Sequence, residues 1–262
     1  MAVESDNINT YERILIGGFR TAILTSSELA QLMVQDCIAS RDKNQLPKLV
    51  FSSNGYSISL AGRKPQFADV MQKADIIHAD GMSVVFASWL MSGKRLPERV
   101  ATTDFFHVAA SKAEAYRLRF YFLGGSEEVN EEAYTRMQNL YPGVQWVGRH
   151  HGYFQEHEED TLCNKIRAAG PDVLWIGLGR PRQEFFSVRN REKLSGIGWI
   201  KTCGGLFDYL SGNKQRAPVW IQRTGFEWFW RVIQEPKRLF WRYLVTNVHA
   251  LWRIAVYSRA EK

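Results

Sequence analysis

At 262 residues, 45% apolar and 13% aromatic, the chain is long and hydrophobic enough to bury a sizeable core, which excludes a disordered or low-complexity protein. Its three cysteines, Cys37, Cys163 and Cys203, are scattered and never spaced C-x-x-C, which argues against a disulfide framework or a zinc site and for core thiols. The formal net charge of +7 suggests an anionic partner, and most of it gathers at the end of the chain.

The opening stretch MAVESDNINTYER carries acids and amides where an export signal would carry a basic run and then a long apolar one, so the protein is expected to stay in the cytoplasm. Seven apolar runs then recur along the chain: RILIGG, KLVFSSN, DIIHAD, RFYFLGG, VQWVG, VLWIGLG and GWIKTCGG. None alternates cleanly with polar residues, so each reads as a strand buried on both faces. Helical patterns lie between them. TSSELAQLMVQDCIA has Thr25 and Glu28 at capping-box spacing, SEEVNEEAYTRMQNL is opened by Ser126, and PRQEFFSVRNREKL is opened by Pro181. Strands alternating with helices predict an α/β fold, a Rossmann-like and mainly parallel sheet covered by helices on both faces, over residues 1–210.

In such a sheet, ligands bind where the carboxyl ends of strands meet loops and helix N-termini. The residues at those endings are Ser52 and Asn54, His78 and Asp80, Gly124, Gly125 and Ser126, and Gly177 and Gly179. FLGGSEE suits a phosphate or diphosphate, because glycines admit a close backbone approach and the helix that follows presents free N–H groups. GLGRPRQ begins like a dinucleotide fingerprint, but Arg182 stands where its third glycine would be, and there is no P-loop lysine pattern. Asp80 has two readings. An aspartate before a glycine at a helix start is often only an N-cap, worth about 1 kcal/mol; it is also a carboxylate at a ligand-binding edge. The pair His150 and His151 lacks a carboxylate or cysteine at ligand spacing, and no D-x-D is present to hold a divalent ion on a diphosphate, so no metal or other cofactor is expected.

NGYSISLAG, HADGMSVVFASWL, ERVATTDFF, FYFLGGSEE, PDVLWIGLGRPRQEFF, GGLFDYLSGNKQRAP and GFEWFWRVIQEPKRLFWRYL fall in order on motifs that resemble the WecG/TagA/CpsF glycosyltransferases, glycosyltransferase family 26, from about residue 12 to residue 244. The resemblance implies a bacterial inverting enzyme that moves a hexose from a UDP-sugar to a polyprenyl-diphosphate-linked saccharide, forming a β linkage, usually to a 4-hydroxyl. It implies that Asp80 is the general base, that Ser52, Asn54, Arg99 and Gln183 line the pocket, and that Arg231, Arg238 and Arg242 reach the site from a C-terminal appendage. Thr102 departs from the family pattern, where glycine is commoner. The donor is left open among glucose, N-acetylmannosamine and its uronic acid. The alternative from another class is a non-catalytic, membrane-bound scaffold that binds the sugar nucleotide.

The last segment, residues 211–262, reads as a basic, tryptophan-rich helical appendage. From Leu239 to Tyr257, Arg242, His249 and Arg253 fall at offsets of seven and four, within about 40° of one another on a helix, with Arg238 and Thr246 bordering the stripe and nearly everything else apolar. An interfacial helix fits this pattern, with its arginines toward lipid phosphates or the diphosphate of the substrate; the alternative is an amphipathic helix docked on this domain or on another subunit. Such a wide apolar face has no use in a nucleic-acid groove, so nucleic acid is not an expected partner. The expectation is a peripheral protein on the cytoplasmic face of the bacterial inner membrane. The same apolar face leaves a homo-oligomer open.

Overall fold

The computed structural model describes residues 11–41, 43–91, 94–224, 227–234 and 236–259. The elements in chain order are β1 (Arg13–Ile16), β2 (Phe19–Ala22), α1 (Ser26–Ser40), β3 (Lys48–Ser53), α2 (Gly55–Arg63), α3 (Pro65–Gln72), β4 (Ile76–Ala79), α4 (Met82–Met91), α5 (Thr102–Ala115) and β5 (Arg119–Gly124). There follow α6 (Glu127–Leu140), β6 (Gln145–His150), α7 (Glu159–Ala169), β7 (Val173–Gly177), α8 (Arg182–Arg189), β8 (Trp199–Thr202), α9 (Leu206–Leu210), α10 (Val219–Thr224), α11 (Glu227–Gln234) and α12 (Pro236–Tyr257).

Six strands form one parallel sheet in the order β4-β3-β8-β7-β5-β6. Alternate residues of its strands feed two separate cores, which is why the strands read as unbroken apolar runs. Leu49, Phe51, Ile77, Leu174, Ile176 and Ile200 face one core, shared with Ile58, Phe67 and Phe186 of α2, α3 and α8. Val50, Ile76, Phe120, Phe122, Trp175 and Trp199 face the other, shared with Leu29, Met33, Phe105 and Phe106 of α1 and α5. The last strand, β8, fills the centre, between β3 and β7. The order in which strands are added therefore reverses near it, and in sheets of this kind the crevice that binds ligands lies at the carboxyl ends of the strands at that point, here β3, β8 and β7.

The predicted caps form. Thr25 and Glu28 make the reciprocal capping box of α1, and Ser126 accepts the Val129 N–H to cap α6. RILIGG is different from its expectation: it pairs antiparallel with Phe19–Ala22 in a separate two-stranded hairpin. Its turn residues Gly17 and Gly18 have φ of +58° and +91°, the pair of left-handed conformations that a two-residue hairpin turn requires.

The hairpin meets the far end of the chain. The Gly18 N–H donates to the Tyr257 carbonyl at 3.0 Å, and the Arg259 N–H donates to the Leu15 carbonyl at 3.0 Å. Helix α12 lies along α2, with Ala250 and Ile254 inside the first core. Its seat is a notch: a Cβ on Gly62 would stand 2.5 Å from Arg253 Cδ and 2.7 Å from His249 Cε1.

Candidate active site

Asp80 follows β4 directly, at the carboxyl edge of the sheet, and is half-buried. Its backbone N–H donates to the Ser53 carbonyl at 2.8 Å, which fixes it against the tip of β3. Its Oδ1 accepts the Thr102 N–H at 2.9 Å. Thr102 is the first residue of α5, whose N-cap residue, Ala101, has no side chain to cap with. Asp80 thus serves as the capping acceptor for α5, a helix 22 residues further on, while Oδ2 accepts from no described residue. Gly81 allows this approach, because a Cβ there would press on Asn54 at 3.0–3.3 Å.

The neighbouring strand tip is tied down by Arg180, which the sequence reading passed over. Its Nη2 donates to the Ser52 carbonyl at 2.8 Å and to Ser52 Oγ at 3.2 Å, its Nη1 reaches Asn54 Oδ1 at 3.5 Å, and its Nε donates to Glu184 Oε1 at 2.8 Å. The peptide bond from Arg180 to Pro181 is cis. Asn54 caps α2, accepting the Ser57 N–H at 3.1 Å. Gln183 is buried; its Nε2 donates to Glu184 Oε1 and its Oε1 accepts the Gly204 N–H, both at 2.9 Å. Ser52, Asn54, Asp80 and Gln183 are therefore brought to one edge, with Arg180 and Glu184 among them.

The glycines divide into two kinds. Gly124 (φ +136°) and Gly177 sit where β5 and β7 lie backbone to backbone, and a Cβ on Gly124 would stand 2.8 Å from Gly177 Cα. The Gly125 N–H is turned to the Gly177 carbonyl at 3.3 Å, and the Ser126 hydroxyl is occupied as a cap. The first turn of α6 also carries Glu127 and Glu128. Gly179 (φ +73°), by contrast, has no atom within 4 Å of where a Cβ would be, so it faces open space.

Two buried titratable groups lie beneath Asp80. Lys201, at the end of β8, has no solvent exposure; burial pushes its ammonium down to about 8, against the nearby carboxylates of Asp80 and Glu184, which favour its charge. Its Nζ donates to the Thr202 carbonyl at 2.6 Å. His78, on β4, is 1% exposed, and burial, reinforced by the charge of Lys201, holds its imidazole well below the usual range. The Val100 carbonyl faces its ring, but neither ring nitrogen makes a geometrically sound hydrogen bond among the described residues. The Thr102 hydroxyl, 6% exposed, is likewise without a partner.

Arg99 lies in a charged cluster that joins the sheet domain to the C-terminal helices. Its Nη1 donates to Glu227 Oε2 of α11 at 2.8 Å, and its Nη2 lies 3.9 Å from Asp104 Oδ2. Arg216 bonds Asp104 as well and approaches Glu227 at 3.7 Å. Arg231, Arg238 and Arg242 fall on α11 and α12, but their side chains lie outside the described residues. Among the described residues no group of three His, Cys, Asp or Glu side chains is arranged to hold a metal ion.

Helix α12 is docked on the sheet domain through part of its polar stripe. His249 Nδ1 stands 3.0 Å from Ser59 Oγ, and Arg253 packs against Gly62 of α2 and over the Tyr257 ring at 4.5 Å. His249 and Arg253 of the polar stripe thus face the sheet domain, while the side chains of Arg238 and Arg242 lie outside the described residues. The outward face is apolar: Trp241, Leu244, Val245, Val248, Leu251 and Trp252 are all more than half exposed. No helix among the described residues is long and apolar enough to cross a membrane.

Sequence reasoning missed Arg180, Glu184 and Lys201. For Arg180 the available signal was its place in the loop after β7, and for Glu184 its place in the first turn of the helix that follows. For Lys201 it was a lone cation inside an otherwise apolar run.

A family model described as "Glycosyl transferase WecG/TagA/CpsF family" matches residues 14–262. The N-acetylglucosaminyldiphosphoundecaprenol N-acetyl-beta-D-mannosaminyltransferase of Bacillus spizizenii is 33% identical over 200 residues, covering 76% of either chain. The protein of the same name from Bacillus subtilis is 32% identical over 190 residues, 72% of this chain and 73% of that one. A third, from Staphylococcus aureus, is 25% identical over 206 residues, 79% of either chain.

Proposed function

Because the chain belongs to the WecG/TagA/CpsF family of glycosyltransferases, we propose that it is an inverting enzyme that moves a hexose from a UDP-sugar to a hydroxyl of a polyprenyl-diphosphate-linked saccharide, with Asp80 as general base. The names of its relatives make N-acetylmannosamine the donor sugar to test and an N-acetylglucosaminyl-diphosphate lipid the acceptor. They are names of transferases, which sets the scaffold reading aside.

The observation that carries the proposal is the Asp80 carboxylate. One oxygen is fixed by the first N–H of α5, and the other takes no hydrogen bond from any described residue, at the edge of the sheet beside Ser52 and Asn54. Direct displacement needs one such group. The carboxylate accepts the proton of the acceptor hydroxyl as the new C–O bond forms on one face of the sugar, and UDP leaves from the other face, so an α-linked donor yields a β product. Negative charge grows on the departing β-phosphate, and arginines, among them Arg99 and Arg216, are the groups of the right sign to meet it.

The exposed apolar face of α12, continued on α11 by Phe229 and Ile233, supports peripheral attachment to the membrane that holds the acceptor. The α12 seat on α2 leaves that face exposed.

The test is transfer from UDP-N-acetylmannosamine to N-acetylglucosaminyl-diphospho-lipid, with release of UDP and the anomeric configuration read by NMR. A β-linked disaccharide is expected. An α-linked product, or no product with this or the other candidate donors, would contradict the proposal.

A further inference from the structure

The amino edge of the sheet, opposite the crevice, gathers a second set of cations. Arg119 opens β5, Gln145 opens β6, Asp172 stands directly before β7, Arg41 follows α1, and Tyr116 and Arg117 follow α5. Arg41, Tyr116, Arg117, Arg119 and Gln145 line a shallow depression of about 440 Å³ there, within the range of about 300–1,000 Å³ typical of small-molecule sites. Strand β5 runs from this depression to Gly124, so at about 3.3 Å per residue the carboxyl edge is roughly 17 Å away.

The lining holds three arginines and no acid. Two of the arginines are held in place by the buried Asp172, which accepts from Arg41 Nε and Nη2 and from Arg119 Nη2 at 2.9–3.2 Å, while both guanidiniums stay one-third exposed. Arg41 Nη2 also donates to the Arg117 carbonyl at 3.3 Å, which ties the loop after α1 to the loop after α5. Arg119 Nε and Nη1, and the whole Arg117 guanidinium, hydrogen-bond to no described residue. Glu114, three residues before Arg117, turns Oε1 away to the Gly143 N–H at 3.0 Å. The carbonyl ends of α1 and α5, worth about half a negative charge each, offset only part of the arginine charge.

Arg117 is placed there at a cost. Its φ of +49° is in the left-handed region, and it is the one non-glycine residue with a positive φ among the described residues. It ends α5: its N–H donates to the Glu114 carbonyl at 3.2 Å and the Leu118 N–H donates to the Ala113 carbonyl at 3.0 Å, a termination that glycine makes without strain. As a helix stop, arginine is the poorer residue. What it brings instead is a guanidinium on the wall of the depression, and strained backbone of this kind gathers at ligand sites.

We infer that this depression is a second binding site, separate from the crevice, for a phosphate group held by the guanidiniums of Arg117 and Arg119, with Arg41 preset beside them by Asp172. Planar guanidinium forks match phosphate oxygens in pairs, and a fork already fixed by a buried carboxylate loses less freedom on binding. Tyr116 and Gln145 on the same walls suit a base carried by that phosphate, so free phosphate and a mononucleotide are the two sources to distinguish. Neither the site nor its test depends on sugar transfer.

The experiment is calorimetric titration of the full chain with inorganic phosphate and with AMP, at about 0.05 and 0.15 M salt, in the wild type, Arg117→Gly and Arg117→Lys, with thermal melting in parallel. Arg117→Gly is expected to bind phosphate at least tenfold more weakly while its melting temperature holds or rises, because glycine relieves the left-handed strain. Arg117→Lys keeps the charge without the fork, and its affinity is expected to fall between the two. AMP binding at least tenfold tighter than phosphate, with the gain lost in Arg117→Gly, would assign the site to a nucleotide; equal affinities would assign it to phosphate alone, and both results uphold the site. No phosphate binding by the wild type, or wild-type affinity in Arg117→Gly, would overturn the inference. So would binding that disappears at the higher salt, the mark of diffuse attraction to a basic surface.

Discussion

A carboxylate's surroundings decide what it does, and Asp80 and Asp172 show the contrast. Asp172, directly before β7, has a side chain only 3% exposed; it accepts from Arg41 Nε and Nη2 and from the backbone and guanidinium of Arg119, at 2.8–3.2 Å. Burial raises its pKa, but the hydrogen bonds from Arg41 and Arg119 outweigh this and hold it below the usual carboxylate value. A depressed carboxylate stabilises the fold above its unfolded pKa and loses that contribution as pH falls, so its share should fade from about pH 4 downward. Asp172→Ala is expected to cost about 2–3 kcal/mol, measured by urea denaturation at pH 7, with a smaller difference from wild type at pH 3; the two arginines stay one-third exposed, which limits the loss. An equal difference at both pH values would show that the charge is not what matters. Asp80 has no such clamp among the described residues, which leaves its second oxygen available for the proposed proton transfer. At this scale the sequence was informative about which residues reach the edge, since strand endings are visible as punctuation. It was silent on partners: that Asp80 caps α5, or that Arg180 ties Ser52 to Glu184, depends on contacts across 22 and 128 residues of chain.

The strands and α1, α6 and α12 were legible because their signals are local, namely apolar runs, caps and a long amphipathic period. RILIGG misled because a run buried against its neighbours looks the same in a hairpin as in the main sheet; its Gly-Gly pair was the available hairpin signal. The face that α12 turns inward was not legible either. A stripe of His249 and Arg253 suits a phosphate surface in isolation, but the small residues Gly55, Ser59 and Gly62 on α2 make a groove that accepts it. The groove gives a direct test. Gly62→Leu drives a side chain into Arg253 and His249, and α12 is expected to detach, so that limited proteolysis cuts after residue 235 at least tenfold faster while the sheet domain still melts cooperatively. Unchanged cleavage would mean that the docking of α12 does not depend on this notch.

Taken as a whole, the molecule has its crevice at one edge of the sheet and a broad apolar surface from α11 and α12, joined through Arg99, Glu227, Arg216 and Asp104. Soluble monomers rarely expose so much contiguous apolar surface without a partner for it. If that partner is lipid, the protein should sediment with phosphatidylglycerol vesicles, and Val248→Glu with Leu251→Glu should weaken binding tenfold or more without changing the melting temperature. Equal binding by the double variant would turn attention to another surface, and a concentration-dependent dimer in the absence of lipid would identify a second copy as the partner. The account as a whole stands most directly on the turnover of Asp80→Asn, measured with UDP-sugar and lipid-diphosphate acceptor alongside donor affinity and melting temperature. Loss of a general base predicts a fall in kcat of about 10²–10⁴-fold with affinity and stability preserved. Turnover at the wild-type rate would contradict it.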